Sequence, residues 1–382
     1  MRDFLYLNVL NKLIFISFLS FTGCSEEPFV ARIGCQNDYP FQKGVEMALR
    51  HLAEARHPVR LEVLFDKYST DPFPKSAVES AYYFCEDRTI QAVVGYASSD
   101  ASLATARVFN QNKMVQIIPY ATSCELNDTG EWTFRLCPDD RYQSKFLVKV
   151  ARNHFGARRC ALIYQNNDYG RGLSDLFCMR WKEGGGSIVF KAPASSGMAK
   201  KEVLDVYVDE IIAQNPDLLI FICSPYQTAL IKTELDRRKA SFPLLGSDAM
   251  DNRHVFNQYR NLFDGMGVAL FYHHLFPNKE NQTFVKYFRE STGEFPIYNA
   301  ALVYDAVLLL HRAFSSGVRT REELKSYLQG VGTLSPPFNG VAGQITFNEN
   351  RICSRPLYLG MIQSDRMALV RDLSKVRKQG MK

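Results

Sequence analysis

The sequence predicts an α/β protein built from two doubly wound parallel sheets, each covered by helices. Three observations lead to this fold class. Short apolar runs suited to buried parallel strands alternate with amphipathic helical segments along most of the 382 residues. The alternation occurs in two series, the second of which starts near Arg141. Repeated strand–helix–strand units favour parallel sheets with helices on both faces, and two series indicate two sheets.

The first series is predicted from the spacing of its apolar residues. Residues 41–52 have apolar side chains every three or four positions, which is the pattern of an amphipathic helix packed on a sheet. Residues 90–94 and 114–118 are short apolar runs, as expected for strands buried on both faces. In chain order the series comprises strand 29–35, helix 41–52, strand 60–65, helix 75–85, strand 90–94, helix 100–112 and strand 114–118.

The second series continues the alternation and then changes character. It comprises helix 141–155, strand 159–164, helix 170–183, strand 187–190, helix 202–214, strand 218–222, helix 227–239 and strand 243–245. A further strand at 265–271 is followed by helices at 283–291, 299–315 and 321–330, and then by strands at 344–347 and 358–362. No low-complexity linker separates the two series, so the pattern indicates two domains without marking a boundary between them.

Two consecutive strands of the first series end in turns that are rich in small hydroxyl residues. The turn GYASS at 95–99 follows the first strand, and PYATS at 119–123 follows the next. Open α/β sheets bind ligands at the carboxyl ends of their strands. Hydroxyl groups and free backbone N–H groups in that position suit a carboxylate or another small anionic group. The alternative is that these Ser and Thr residues only cap helices.

The same stretch resembles the type I periplasmic solute-binding proteins, the group that contains the leucine/isoleucine/valine-binding proteins. The resemblance starts with the order strand, Gly-x-x-Ser-Ser, helix, strand, Pro-x-Ala-Thr. It continues in the family's order across residues 28–365. The segments that carry it further are LIYQNNDYG at 162–170, NPDLLI at 215–220, LGSD at 245–248, YDAV at 304–307 and GQITFNEN at 343–350.

The resemblance implies two lobes joined by a hinge in which the chain crosses three times. The late helices belong to the first lobe in this family, and the last strands belong to the second. The implied division is a lipoprotein signal peptide at 1–23, first-lobe segments at 24–138 and 271–340, second-lobe segments at 139–270 and 341–370, and a basic tail at 371–382.

The resemblance also implies a ligand site between the lobes. Ser99, Thr122 and the backbone of Tyr120 and Ala121 are expected to bind a ligand carboxylate. Asp248 lies where the family has an acid, which would pair with a ligand ammonium group; the alternative is a helix cap near residues 252–256. Tyr169 matches a tyrosine that closes over the ligand, unless it only packs on the following glycine. The remaining candidates for the lining are Tyr96, Ser98 and Tyr226.

The function implied is capture of a small ligand, an amino acid or related carboxylate, for delivery to an ABC transporter permease. A sensing module that signals to a receptor or kinase is the alternative, and a repressor-like effector domain is a third class. The loop at 36–40 is shorter than usual in the family, so the pocket for the ligand side chain cannot be inferred from the resemblance. A polar amino acid, a peptide-like amide and an aromatic acid all remain candidate ligands.

The amino terminus resembles a bacterial lipoprotein signal. Residues 13–21 form a nine-residue apolar core, too short to span a bilayer but suited to a secretory leader. Cys24 follows a small residue and would receive the lipid that anchors the protein to the membrane at the cell envelope. Asp3 and Phe21 depart from the usual pattern, and an ordinary signal peptide or an uncleaved anchor are the alternatives.

Composition excludes several other functions. A net charge of +6, without a cluster of basic and aromatic residues, gives no support for nucleic-acid binding. The basic tail is expected to fray or to touch anionic lipid. The nine cysteines show no zinc spacing, and no cofactor or catalytic motif occurs, so we expect no metal, no cofactor and no enzymatic activity. Cys124 and Cys137 flank a turn-rich loop and are predicted to form a disulfide.

Overall fold

The structure is a computed structural model that describes residues 29–55, 59–67, 74–252, 258–363 and 366–370. The predicted leader at 1–23, the candidate lipidation site Cys24 and the basic tail at 371–382 lie outside the described residues. Within the described ranges, no helix is both long enough and apolar enough to cross a membrane.

The first sheet consists of five parallel strands in the order β2-β1-β3-β4-β5. Its central strand Ile90–Val94 is completely buried, as its uninterrupted apolar sequence predicts. The strands are β1 Val30–Cys35, β2 Arg60–Phe65, β3 Ile90–Val94, β4 Val115–Ile118 and β5 Thr133–Arg135, and the helices between them are α1 Tyr39–Glu54, α2 Pro74–Glu86 and α3 Ser99–Gln111.

The second sheet has seven strands in the order β14-β13-β10-β9-β8-β6-β7. Strands β6 to β10 run parallel, whereas β13 and β14 are antiparallel to their neighbours. The strands are β6 Arg159–Gln165, β7 Ser187–Ala194, β8 Leu218–Ile222, β9 Leu244–Gly246, β10 Gly267–Leu270, β13 Tyr358–Gln363 and β14 Arg366–Val370, and the helices are α4 Asp140–Asn153, α5 Asp168–Glu183, α6 Lys201–Gln214 and α7 Pro225–Arg237.

Three late helices and a small hairpin complete the fold. They are α8 Lys279–Thr292, α9 Tyr298–Ser315 and α10 Arg321–Gln329, with the antiparallel strands β11 Phe338–Gly340 and β12 Gly343–Ile345. Helix α9 packs against α1 and is buried along most of its length in the core of the first sheet. We call the first sheet with its helices the first lobe and the second sheet with its helices the second lobe. The predicted fold class, two α/β lobes with parallel sheets, is confirmed.

The chain passes between the lobes three times. The first passage follows β5, because α4 packs on the second sheet. The second follows β10, because Phe271 and Tyr272 already lie in the first-lobe core. The third comprises residues 348–357 and leads into β13. Within it, Arg351 O accepts a hydrogen bond from Arg135 N, and Cys353 N donates to Arg135 O, so the third passage pairs with the edge of β5.

The segment assigned to the second lobe from residue 341 is divided in the structure. Val341, Ile345 and Phe347 pack in the first-lobe core, and the Phe347 ring contacts Phe134 with centroids 5.2 Å apart. Only the strands from Tyr358 onward join the second sheet. The apolar side chains of the hairpin are buried against the first lobe, and this displaces the boundary towards the carboxyl terminus.

The predicted disulfide between Cys124 and Cys137 is wrong, because both cysteines are free. Cys137 is buried, and its thiol donates a hydrogen bond to Ala121 O at 3.5 Å. Cys124 is only partly buried and opens a short 3-10 helix. The two thiols therefore occupy different environments.

Candidate functional site

A cleft of about 170 Å³ lies between the lobes, at the carboxyl ends of strands from both sheets. The first lobe contributes the turns after β3 and β4, together with the first residue of α9. The second lobe contributes the ends of β6 and β9. The lining residues are Ala97, Ser98, Ser99, Tyr120, Ala121, Thr122, Gln165, Asn167, Tyr169, Asp248, Ala249 and Tyr298.

The hydroxyl residues of the first lobe converge because β3 and β4 are adjacent and parallel. Ser98 caps α3, and its Oγ accepts a hydrogen bond from Ala101 N at 3.2 Å. Ser99 Oγ accepts one from Ser123 N at 3.3 Å, which ties the two turns together. The Thr122 hydroxyl is buried, and its hydrogen-bonding neighbour is the side chain of Asp140. The turn at 95–99 therefore caps α3 and also lines the cleft, so the capping role does not argue against ligand binding.

Aromatic residues form the first-lobe wall of the cleft. The Tyr120 and Tyr298 rings meet edge to face, with centroids 5.6 Å apart, and Tyr298 also contacts Phe271. Burial raises the pKa of both phenols well above the ordinary value, so the two residues remain neutral. The ring faces therefore make this wall apolar, and its only polar groups in this pair of residues are the phenol hydroxyls.

The second lobe places a tyrosine and an acid together. The Tyr169 hydroxyl donates to Asp248 Oδ1 at 2.6 Å and lies 2.8 Å from Ser247 Oγ. Tyr169 is held at the start of α5, where Asn167 Oδ1 accepts a hydrogen bond from Gly170 N at 3.0 Å. A Cβ on Gly170 would lie 2.0 Å from Gln165 O, so only glycine allows this helix to begin so close to β6. Burial raises the pKa of the Asp248 carboxyl, and the Tyr169 hydrogen bond opposes that shift.

A second acid, Asp140, is buried behind the cleft. It begins α4 and is 1% exposed, and the Thr122 hydroxyl is a hydrogen-bonding neighbour of its carboxyl group that opposes the effect of burial on its pKa. Its backbone N–H donates to Thr122 O at 3.0 Å, which joins the first passage between the lobes to the ligand turn. Burial, reinforced by the charge of Asp248, raises the pKa of Asp140 to about 8. Gln143, one turn later, accepts a hydrogen bond from Asp248 N at 3.1 Å.

The structure brings together most of the residues predicted from the sequence. Ser98, Ser99, Tyr120, Ala121, Thr122, Tyr169 and Asp248 line one cleft. Tyr96 does not, because its ring packs in the core cluster between α2 and α3. Tyr226 does not either, because it lies 49% exposed in the first turn of α7. Asp248 opens a short 3-10 helix, and residues 253–257 of the alternative capped helix lie outside the described residues.

Sequence reasoning missed Ala97, Gln165, Asn167, Ala249 and Tyr298 in the lining. Asn167 could have been found from the sequence. It lies between a strand and a helix, where Asn is a typical N-cap residue, and the ends of such strands form the ligand-binding edge of the sheet. Tyr298 had none. It reaches the cleft from a helix that follows the second passage of the chain, and only the three-dimensional arrangement places it beside Tyr120.

Residues 42–359 match the family model described as the receptor family ligand binding region. A Leu/Ile/Val-binding protein homolog from Brucella abortus is 28% identical over 137 residues, which are 35% of this chain and 36% of that relative. The match thus spans about a third of the relative's length. The substrate binding protein of a branched-chain amino acid transporter from Streptococcus pneumoniae, in complex with isoleucine, has a TM-score of 0.79 at 19% identity, covering 89% of this chain and 99% of its own.

A solute binding protein of an ABC transporter from R. palustris, in complex with benzoate, is also similar in structure. Its TM-score is 0.76 at 16% identity, and the match covers 89% of this chain and 95% of that one. Similarity at this identity concerns the fold. It extends over nearly the whole of both lobes.

Proposed function

Since this chain belongs to the receptor family ligand binding region family, we propose that it is an extracytoplasmic solute-binding protein that captures an amino acid between its lobes for an ABC transporter. The relative described above is a Leu/Ile/Val-binding protein homolog, and the two structural neighbours are binding proteins of transporters, one in complex with isoleucine and one with benzoate. One observation carries the choice of an amino acid: the cleft has a carboxylate on one side and hydroxyl groups with a helix amino terminus on the other.

The acidic side of the cleft suits an ammonium group. Asp248 is buried, and it receives a hydrogen bond from Tyr169 but no ion pair within the described part of the chain. A buried carboxylate without a cation is costly, and an ammonium group of the ligand would offset that cost. No Lys, Arg or His is present among the described residues that line the cleft, so the ligand itself is the proposed source of positive charge.

The opposite side suits a carboxylate. Helix α3 begins at this wall, and the first amides of a helix have no intrahelical acceptor and attract negative charge. The hydroxyl groups of Ser99 and Thr122 add donors beside those amides. An α-amino acid carries both charged groups on neighbouring atoms, which is the arrangement that the two walls together require.

The ligand side chain would lie against Tyr120, Tyr298 and Tyr169. These rings and the volume of about 170 Å³ favour a compact amino acid with an apolar or aromatic side chain. A plain aromatic acid, the ligand type of the R. palustris protein, would leave Asp248 opposite an apolar ring. We therefore favour an amino acid over an aromatic acid, and Asp248 is the residue that distinguishes the two.

The proposal is tested by screening the purified protein against amino acids and aromatic carboxylates by thermal shift, followed by calorimetric titration. A ligand at 100 times its dissociation constant should stabilise the protein by about 2.7 kcal/mol. For an amine-bearing ligand, Asp248→Asn should weaken binding about tenfold to a hundredfold, because a hydrogen bond to a charged group contributes about 1.5–3 kcal/mol. Asp236→Asn, at an exposed position of α7, is the matched control. Unchanged affinity in Asp248→Asn, or a ligand without an amine, would contradict the proposal.

Membrane anchoring through Cys24 belongs to the same proposal. If the cysteine carries lipid, the wild-type protein should partition into detergent, and Cys24→Ser should partition into the aqueous phase. Aqueous partitioning of both forms would contradict the anchor while leaving the ligand site untouched.

A further inference from the structure

A second and larger cavity, of about 570 Å³, lies at the passages between the lobes and is separate from the ligand cleft. One wall is the start of α4, and the other is the third passage of the chain, residues 348–356. We propose that this cavity, which we call the hinge cavity, binds a small, multiply charged anion, either an inorganic oxyanion or a di- or tricarboxylate. The inference does not depend on the identity of the ligand in the cleft.

Positive charge at the hinge cavity exceeds negative charge. Arg141, Lys145 and Arg355 line it, and Asp139 is the one acid among its described lining residues. Asp305 balances the charge of Arg355, so the excess positive charge comes from Arg141 and Lys145. Asp139 is already engaged, since its carboxylate accepts hydrogen bonds from Tyr142 N and Asn127 Nδ2. Arg141 and Lys145, one turn apart on α4, form no ion pair within the described part of the chain. Their charges are thus available to an anion.

Arg355 supplies the buried part of the proposed site. Its Nη2 donates to Asp305 Oδ2 at 2.6 Å, and this ion pair fixes the guanidinium in place. The residue is 3% exposed, and Nε and Nη1 are buried without an oxygen or nitrogen acceptor among the described protein groups; the Cys353 thiol is a weak hydrogen-bonding neighbour of the guanidinium. Buried donors without acceptors are costly, and the planar guanidinium suits oxyanions and carboxylates.

Neutral polar groups surround these cations. Asn127, Asn348, Asn350 and Ser354 line the hinge cavity, together with the Tyr142 ring. The Asn348 carboxamide oxygen accepts hydrogen bonds from Asn350 N and Ile352 N. The Asn348 side-chain nitrogen, which can only donate hydrogen bonds, therefore points away from these two backbone N–H groups. The lining therefore combines one fixed guanidinium and two exposed cations with neutral polar groups, which is the chemistry that recognises an anion.

The experiment measures binding of inorganic phosphate and of citrate to the mature protein by calorimetry and thermal shift, with the ionic strength held constant by NaCl. We expect saturable one-to-one binding of at least one of the two anions. Arg141→Ala and Lys145→Ala should each weaken it about threefold or more, and the double variant about tenfold, since exposed charges contribute less than buried ones. Lys149→Ala, with the same charge one turn further along α4 and outside the cavity, is the matched control and should bind as the wild type does.

Binding of phosphate alone would identify an oxyanion site, and binding of citrate alone a polycarboxylate site; either result supports the proposal. Absence of saturable binding of both anions would overturn it, as would an equal loss in Lys149→Ala, which would indicate a general effect of charge. Thr122→Ala tests whether the anion occupies the ligand cleft instead. Loss of anion binding in that variant, with binding retained in Lys145→Ala, would also overturn the proposal.

Discussion

The Asp100 carboxylate of the first lobe accepts a hydrogen bond from the backbone N–H of Asp168 in the second lobe, with Oδ1 and N 3.3 Å apart. The contact joins the first turns of α3 and α5 at the mouth of the cleft. A carboxylate at a helix amino terminus is stabilised by the helix dipole. The two lobes therefore touch across the cleft in the conformation that the structure describes.

This contact predicts a role for Asp100 in ligand affinity. Asp100→Ala removes one hydrogen bond of the lobe-to-lobe contact, and we expect the ligand dissociation constant to rise by about threefold to tenfold, the equivalent of about 0.5–1.5 kcal/mol. Arg107→Ala, on the exposed face of the same helix, should leave it unchanged. Calorimetric titration of both variants gives the comparison. Equal affinities would show that the contact does not contribute to the ligand-bound state.

Removal of the Tyr169 hydroxyl should affect both stability and binding. Tyr169→Phe keeps the ring but deprives Asp248 of its donor at 2.6 Å, and a buried carboxylate that loses a hydrogen bond costs about 1–3 kcal/mol. We expect a lower free energy of unfolding in urea and weaker ligand binding. Tyr207→Phe removes a hydroxyl that donates to Pro193 O, and neither residue lines the cleft, so this variant is the control. A loss of affinity in the control as large as in Tyr169→Phe would contradict a specific role.

Asp140 should make stability depend on pH. Because burial raises its pKa from 3.8 to about 8, the folded protein holds a proton that the unfolded chain releases between these values. The free energy of unfolding should therefore fall as the pH rises from about 4 to about 8, by at most about 1.4 kcal/mol per pH unit from this one group.

Asp140→Asn removes the titration, so this variant should gain stability relative to the wild type as the pH rises through that window. Urea unfolding of both proteins at several pH values measures the difference. The neighbouring charges of Asp248, Asp139 and Arg135 are common to both proteins. Parallel pH profiles of the two proteins would assign the slope to other groups.

The ion pair between Asp305 and Arg355 should be costly to break. Both residues are almost completely buried, and the pair joins α9 to the third passage of the chain. Asp305→Ala leaves the guanidinium buried without its partner, and we expect a loss of about 3–5 kcal/mol in the free energy of unfolding. Asp236→Ala breaks the exposed pair with Lys232 and should cost less than about 1 kcal/mol. Similar losses in the two variants would contradict the distinction.

Local sequence patterns were sufficient for most strands of five or more residues and for the helices between them. Strands β2, β3 and β8 lie where apolar runs predicted them. The strands β5 and β11 were missed, because each has only three residues, too few to show a periodic apolar pattern. Strand β14, a half-buried edge strand with a short apolar run, was also missed.

The candidate site could be predicted where function and local structure coincide. Ser99, Thr122 and Asp248 each follow a buried strand, so their positions at the binding edge follow from the pattern. Tyr96 and Tyr226 failed because a residue near the end of a strand can face either the core or the solvent. Asp140 and Tyr298 could not be found in this way, because they approach the cleft from segments that the chain enters after passing between the lobes.

The three passages between the lobes also determine when during synthesis each lobe can become complete. Helix α9, at the centre of the first-lobe core, lies more than 150 residues after β5. In the second sheet, the edge of β10 that pairs with β13 has no partner until residues Tyr358–Gln363 have been synthesised. Completion of the first lobe before the second is made, the usual order for a nascent chain of two domains, is therefore not open to this topology. Nearly the whole polypeptide has to leave the ribosome before the first lobe can acquire its complete interior.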